Sequence, residues 1–207
     1  MRALLAGTRV IPVITLECVE DAVPMARALV NGGLNVLEVT LRTPAAAEGI
    51  RRILAEVEGA TVGTGTVCTP AQVQLSADLG CDFMISPGFT DQLLAAAAQA
   101  PLPLMPGIAT VSELMRGMEY GYQDFKLFPA EASGGIALLK AISGPFANLR
   151  FCPTGGIGLG NFLNYLDLPN VLCVGGSWLL PADLVAAKRW DDIEQLARET
   201  ANFRGIK

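Results

Sequence analysis

Asp124-Phe125-Lys126-Leu127-Phe128-Pro129 places a lysine in the middle of a short apolar run with a proline just behind it. The run reads as a buried strand. Burying an ammonium is costly unless it is paired or loses its proton. Lys126 therefore has either a partner or a chemical task, unless it lies at a strand end and snorkels to solvent. The strands and helices around it decide which context applies.

Short apolar strands alternate with helical patterns on both sides of this run. Strands are expected at 10–15, 34–41, 60–67, 82–86, 102–106, 124–128, 149–153 and 171–174. Helices are expected at 19–31, 45–57, from Pro70 with Gly80 after its end, and at 91–99, 111–120, 136–142, 161–166 and 191–203. Thr43 before Pro44 and Thr69 before Pro70 are candidate helix caps. Alternation of this kind implies a parallel sheet. Eight units close most simply into a single-domain α/β fold, a (β/α)8 TIM barrel over residues 1–207. The alternative is an open doubly wound sheet, which calls for a Gly-x-Gly-x-x-Gly turn after the first strand. Thr15-Leu16-Glu17 is no such turn.

Composition narrows the function classes. Apolar residues make up 51% of 207 residues, which belongs to a well-buried globular chain. The net charge is −5 and no basic run occurs, so nucleic acid is not an expected partner. No apolar stretch reaches the length of a membrane span. Residues 1–7 are too short for a signal-peptide core, and a cytoplasmic location is expected. The five cysteines, Cys18, Cys68, Cys81, Cys152 and Cys173, form no Cys-x-x-Cys pair and read as reduced packing residues. Histidine is absent, which removes imidazole acid–base chemistry, Ser-His-Asp and Cys-His catalysis, and His-ligated metals. Proton transfer then falls to carboxylate, lysine, tyrosine, water or substrate. No metal and no cofactor are expected.

Glu38, Thr40 and Arg42 alternate along the second strand and share one face. Glu38 and Lys126 would both project inward. They form either a purely structural ion pair or a general base beside an amine nucleophile. Arg42 is a cation near that amine or a two-pronged clamp for a substrate carboxylate. After the seventh and eighth strands come Thr154-Gly155-Gly156-Ile157 and Gly175-Gly176-Ser177. These are either tight turns or the phosphate corner usual in barrels. Asp124 reads as strand-edge solvation, Trp178 and Trp190 as packing, and Met115 and Met118 as core. Glu131 is open between capping the next helix and facing the site.

Together, Glu38-Val39-Thr40-Leu41-Arg42-Thr43, Gly65-Thr66-Val67, Ile85-Ser86-Pro87-Gly88, residues 125–131, residues 151–157 and Val174-Gly175-Gly176-Ser177-Trp178 resemble the bacterial 2-keto-3-deoxy-6-phosphogluconate (KDPG) and 4-hydroxy-2-oxoglutarate (KHG) aldolases. The resemblance runs in order over nearly the whole chain. It implies a metal-free class I aldolase, usually trimeric, that acts on a phosphorylated keto acid. Lys126 matches the Schiff-base lysine and Glu38 the general acid/base. Arg42 and Thr66 match residues at the pyruvate carboxylate, and Pro87 and Phe128 the wall of the pyruvyl pocket. Gly155, Gly156 and Ser177 match the phosphate-binding corner, with Gly175 and Gly176 beside it.

Three rivals stay open at this level. One is a relative acting on the phosphogalactonate epimer or on unphosphorylated KHG. Another is a phosphosugar isomerase or epimerase that uses Glu38 as base and forms no imine. The third is a phosphometabolite-binding barrel without turnover.

Overall fold

The computed structural model describes residues 1–203, and residues 204–207 of the expected domain lie outside them. In chain order the elements are β1 (Val10–Ile14), α1 (Ala22–Asn31), β2 (Val36–Thr40), α2 (Ala46–Glu56), β3 (Thr61–Gly65) and α3 (Pro70–Asp78). β4 (Phe83–Ile85), α4 (Asp91–Gln99), β5 (Leu104–Met105), β6 (Gly107–Ile108) and α5 (Val111–Glu119) follow. The chain continues through β7 (Asp124–Leu127), α6 (Gly135–Ser143), β8 (Arg150–Pro153), α7 (Phe162–Leu166), β9 (Val174–Gly176), α8 (Ala182–Ala186) and α9 (Trp190–Asn202).

All strand pairs are parallel, as the strand–helix alternation requires. One sheet has the order β5-β4-β3-β2-β1-β9 and a second the order β6-β7-β8. Pro106, which has no N–H to give a ladder, separates β5 from β6. Its carbonyl still accepts from the Lys126 N–H at 2.9 Å. On the opposite side, the bridges Phe151 to Val171 and Thr154 to Gly175 run from β8 toward β9.

Threonines turn several strand exits into helices. Thr69 accepts from the Gln72 N–H, and Thr90 does the same for Leu93. Thr110 forms a capping box with Glu113, whose carboxylate accepts from the Thr110 N–H at 2.8 Å. Thr43 does not cap: α2 begins at Ala46, and the Thr43 hydroxyl donates to the Leu16 carbonyl instead. A short 3-10 turn occupies Val19–Asp21, so α1 starts later than its apolar pattern indicated. The last strand is β9, later than 171–174, and α8 lies between the helices expected at 161–166 and 191–203, where none is expected.

Three bland readings change. Met115 and Met118 are exposed on α5, because the buried face of that short helix is taken by Leu114 and Gly117. Asp124 is ion-paired to Arg2 at 2.6 Å, which ties the leading segment to the start of β7. Cys18 and Cys68 are exposed thiols, not packing residues, whereas Cys81, Cys152 and Cys173 are buried. Trp178 does pack, tilted against Phe162 with ring centroids 5.7 Å apart.

Two apolar clusters divide the interior. The larger lies between sheets and helices and takes Val10, Ile14, Leu37, Val39, Phe125, Leu127 and Phe151. The smaller lies on the inner faces and takes Leu5, Ile11, Val36, Phe83, Ile85, Met105, Cys152 and Cys173. The period of two makes this division: Leu37 and Val39 face outward while Val36, Glu38 and Thr40 face inward. The inner cluster is thus an apolar floor, with Leu5 of the leading segment among its members, and the polar inner residues stand above it.

Glycines on β3 make the inner space. A Cβ on Gly63 would collide with the Phe83 ring, and one on Gly65 with the Glu38 carboxylate, with Glu38 Cγ at 2.6 Å. Gly65→Ala is therefore expected to lower stability by about 1–3 kcal/mol through overpacking. Urea unfolding checks this.

Burial pushes the Cys81 thiol up to about 12. The hydrogen bond shared with Cys152, followed by burial, raises the Cys173 thiol. In native protein at pH 8, Cys18 and Cys68 are expected to react with a thiol reagent such as Ellman's, and Cys81, Cys152 and Cys173 only after denaturation. Labelling followed by peptide mass analysis distinguishes them.

Candidate active site

The inward residues of β2 and β7 meet above the apolar floor. Lys126 Nζ stands 3.1 Å from Glu38 Oε1 and 3.5 Å from Oε2. Their side chains are 4% and 1% exposed, so the snorkelling alternative for Lys126 does not hold. Among the described residues each is the other's sole ion-pair partner. Register explains the meeting. Lys126 is paired with Gly107 on β6 and Cys152 on β8, and Glu38 with Val13 on β1 and Gly63 on β3. Small neighbours thus flank both long side chains. The Phe128 ring centroid lies 5.5 Å from Nζ, within range of a cation–π contact when the amine is charged.

A polar rim stands over the pair. Thr40, one step above Glu38 on the same face, donates to the Ile14 carbonyl at 3.0 Å and lies 3.1 Å from the Thr15 hydroxyl. Arg42 falls in the loop just beyond β2, not in the strand, and its Nε donates to Thr66 Oγ1 at 2.9 Å. Thr66 adopts φ 59, a left-handed conformation disfavoured for a residue with a branched Cβ. Such conformations concentrate at functional sites. The rest of the guanidinium meets no carboxylate of the described residues and is exposed to the mouth.

Pro87 sits at the end of β4, next to β6. A Cβ on Gly107 would strike the Pro87 carbonyl, so that glycine lets the Pro87 loop close in beside the strand paired with Lys126. On the other side, Gly155 lies against the Phe128 ring, whose Cδ2 would be 3.4 Å from an added Cβ. Phe128 therefore separates the lysine from the glycine turn.

That turn has φ +99 at Gly155 and +79 at Gly156. Its carbonyls are all engaged. Those of Thr154 and Gly155 accept from the N–H groups of Ala130 and Glu131 at 2.8 and 3.1 Å. The Gly156 carbonyl accepts from Asn161 Nδ2 at 3.1 Å. Among the described residues no carbonyl accepts from the N–H of Gly156 or Ser177, whereas the N–H of Gly155 faces the Gly175 carbonyl across the bridge to β9. Free donors of this kind suit an anion. Gly175 and Gly176 behave differently. They are buried in β9, and their missing side chains leave room for Thr154 Oγ1 and the Trp178 ring.

Thr154 and Thr15 are members of this neighbourhood that sequence reasoning passed over. Thr154 Oγ1 is buried without a partner. Its signal was present, a hydroxyl directly before the Gly-Gly turn. Thr15 and Ser177 both line a cavity of about 410 Å³ that runs outward past Met25, Leu180 and Val185. Nothing in an alternating strand pattern marks Thr15.

Among the described residues no three His, Cys, Asp or Glu side chains cluster as a metal site, and no helix is long and apolar enough to cross a membrane. Chemically, the arrangement offers a buried amine beside a carboxylate, an arginine–threonine pair on one side and an anion-seeking turn on the other.

Comparison with known proteins points to one family. The model of the KDPG and KHG aldolase family matches residues 1–196. The KHG/KDPG aldolase of Escherichia coli K12 is 55% identical over 197 residues, covering 95% of this chain and 92% of that protein. The 2-dehydro-3-deoxy-phosphogluconate aldolase of Dickeya dadantii is 56% identical over 196 residues, covering 95% of this chain and 92% of that protein. Among solved structures, Legionella pneumophila KDPG aldolase, with pyruvate captured as a covalent carbinolamine intermediate, superposes with a TM-score of 0.93 at 49% identity, covering 95% of this chain and 96% of that one. Identity at this level over nearly full length, with the buried amine and carboxylate side by side, places this chain in the KDPG and KHG aldolase family.

Proposed function

We propose that this chain is a class I lyase that cleaves 2-keto-3-deoxy-6-phosphogluconate to pyruvate and glyceraldehyde 3-phosphate. It also cleaves 4-hydroxy-2-oxoglutarate to pyruvate and glyoxylate. The observation that carries the reading is the buried Lys126 Nζ at 3.1 Å from Glu38 Oε1. The carbinolamine in the Legionella relative, and the Zymomonas mobilis enzyme solved with 3-phosphoglycerate at 45% identity, support both ends of the substrate.

Lys126 gives a proton to Glu38 and attacks carbon two of the keto acid as a neutral amine. Glu38 returns that proton to the carbinolamine hydroxyl, which leaves as water, and a protonated imine remains. Glu38, now a carboxylate, takes the proton of the hydroxyl on carbon four. The bond between carbons three and four breaks, its electron pair moves into the imine, and the aldehyde departs. The enamine takes the proton back from Glu38 at carbon three, and water hydrolyses the imine to pyruvate. One carboxylate serves each transfer, which suits a chain without histidine.

Arg42, oriented by Thr66, clamps the pyruvate carboxylate through its free N–H groups. Pro87 and Phe128 wall the pyruvyl group. The N–H groups of Gly156 and Ser177 receive the phosphate beside Gly155, and Gly175 and Gly176 shape the floor beneath it.

The scaffold is a single closed (β/α)8 barrel in which β5 and β6 are one strand interrupted by Pro106 and the bridges from β8 complete the ring. The assembly is a homotrimer, for which exposed Val111, Met115 and Met118 on α5 offer apolar contact surface. Two exposed thiols fit the reducing cytoplasm. There the reaction takes its place in the Entner–Doudoroff pathway of carbohydrate metabolism.

Borohydride reduction with pyruvate is expected to add a stable mass to the peptide containing Lys126, and Lys126→Ala to abolish both trapping and turnover. A wild-type enzyme that cleaves substrate with no mass gain would rule the mechanism out. Glu38→Gln keeps shape and removes the base for every transfer, so the imine is expected to form more slowly yet still be trapped on long incubation, while cleavage falls by about 10²–10⁴-fold. Comparing trapping yield with steady-state rate for the same preparation separates the two steps.

A further inference from the structure

Glu131 and Tyr165 lie outside the chemistry above, yet they are joined across the glycine turn. The Tyr165 hydroxyl, reaching from α7, donates to Glu131 Oε1. Tyr165 is fully buried, whereas Glu131 stands exposed at the rim, five residues after Lys126 on the same strand and loop. Its backbone N–H holds the Gly155 carbonyl at 3.1 Å. Its side chain also lies over Gly156, where an added Cβ would come within 2.6 Å of Glu131 Cγ. Gly135 at the start of α6 makes room for the pair. A Cβ there would sit 2.7 Å from the Tyr165 hydroxyl and 3.1 Å from Glu131 Oε1.

These contacts solve two problems of an anion-binding turn. A turn with two successive positive φ angles has many conformations, and only a few point its N–H groups together. A carboxylate left loose at the same rim would also repel a phosphate. Tyr165 pins that carboxylate beside the first turn of α6, where free N–H groups favour negative charge. Burial and the bond to Glu131 both raise the Tyr165 hydroxyl's pKa, so it is a lasting donor.

The geometry points to Glu131 and Tyr165 as positioning residues that hold the glycine turn at a set distance from Lys126 and so tune the enzyme for phosphorylated substrates. This inference rests on the aldolase reading above. Neither residue touches the reacting atoms.

The test is steady-state kinetics of the full chain on KDPG and on KHG, which has no phosphate. Tyr165→Phe keeps the buried ring and removes only the hydroxyl. It is expected to raise KM for KDPG about tenfold with kcat within about twofold, and to move KM for KHG by less than about twofold. Glu131→Ala is expected to do the same. Glu131→Gln, which keeps an oxygen for the Tyr165 hydroxyl, is expected to stay near wild type. Equal rises in KM on both substrates, or an unchanged KM for KDPG, would overturn the inference. If Tyr165→Phe fails to fold, the exposed Glu131→Ala and Glu131→Gln pair decides alone. A wild type that cleaves neither substrate would sink the aldolase reading instead. A normal wild type with unsplit variants sinks only the positioning role.

Discussion

The contact between Lys126 and Glu38 is the constraint that the rest of the architecture serves. Two ionisable groups removed from water lose hydration that their attraction recovers only at close range and good geometry. Breaking such a pair by removing one member costs about 3–5 kcal/mol, since the other is left buried and uncompensated. The pair is therefore tolerable only where neighbouring strands keep it together, and useful only where substrate can reach it. Parallel strands with period-two alternation meet both demands. They set the pair one layer above an apolar floor and one layer below the polar rim.

The surrounding residues follow from that placement. Gly63 and Gly65 stand beside Glu38 because larger residues would fill the space of Phe83 and of the carboxylate itself. Cys152, small and apolar, is the β8 neighbour of Lys126. Thr40 and Thr15 use their hydroxyls on one another and on the Ile14 carbonyl. Thr66 keeps a left-handed backbone conformation in the position from which its hydroxyl meets Arg42. Farther out, the carbonyls of the glycine turn are tied down while the N–H groups of Gly156 and Ser177 are left open. The Lys126–Glu38 pair and the glycine turn are thus held by one continuous set of contacts running from β7 through Phe128 to the Thr154 turn.

Much of this is legible in the sequence. The lysine in an apolar run, the alternation of Glu38, Thr40 and Arg42, and the two glycine-rich turns each carry a local physical signature. The threonine cap at Thr69 also reflects local hydrogen bonding. The misreadings have a common cause. Met115 and Met118 fit helical spacing equally well on either face, and only the packing of α5 shows that Leu114 and Gly117 occupy the inner one. Thr43 precedes a proline as a cap would, but the Leu16 carbonyl, distant in sequence, takes its hydroxyl. Gly175 and Gly176 look like Gly155 and Gly156 in a string of letters. In space an added Cβ on them would meet Thr154 and Trp178.

Local pattern along the chain suffices for the parallel α/β class, the inward orientation of Glu38 and Lys126, and the exclusion of histidine chemistry. These depend on backbone period, residue type and composition, which are properties of neighbours along the chain. Tertiary structure alone decided that the carboxylate and the amine, 88 positions apart, come within hydrogen-bonding distance. It also decided that Arg42 is oriented by Thr66, and that Glu131 turns toward Tyr165 instead of capping a helix through its own side chain. Those pairings depend on strand register and on how loops fold back over the sheet ends, which no local preference encodes.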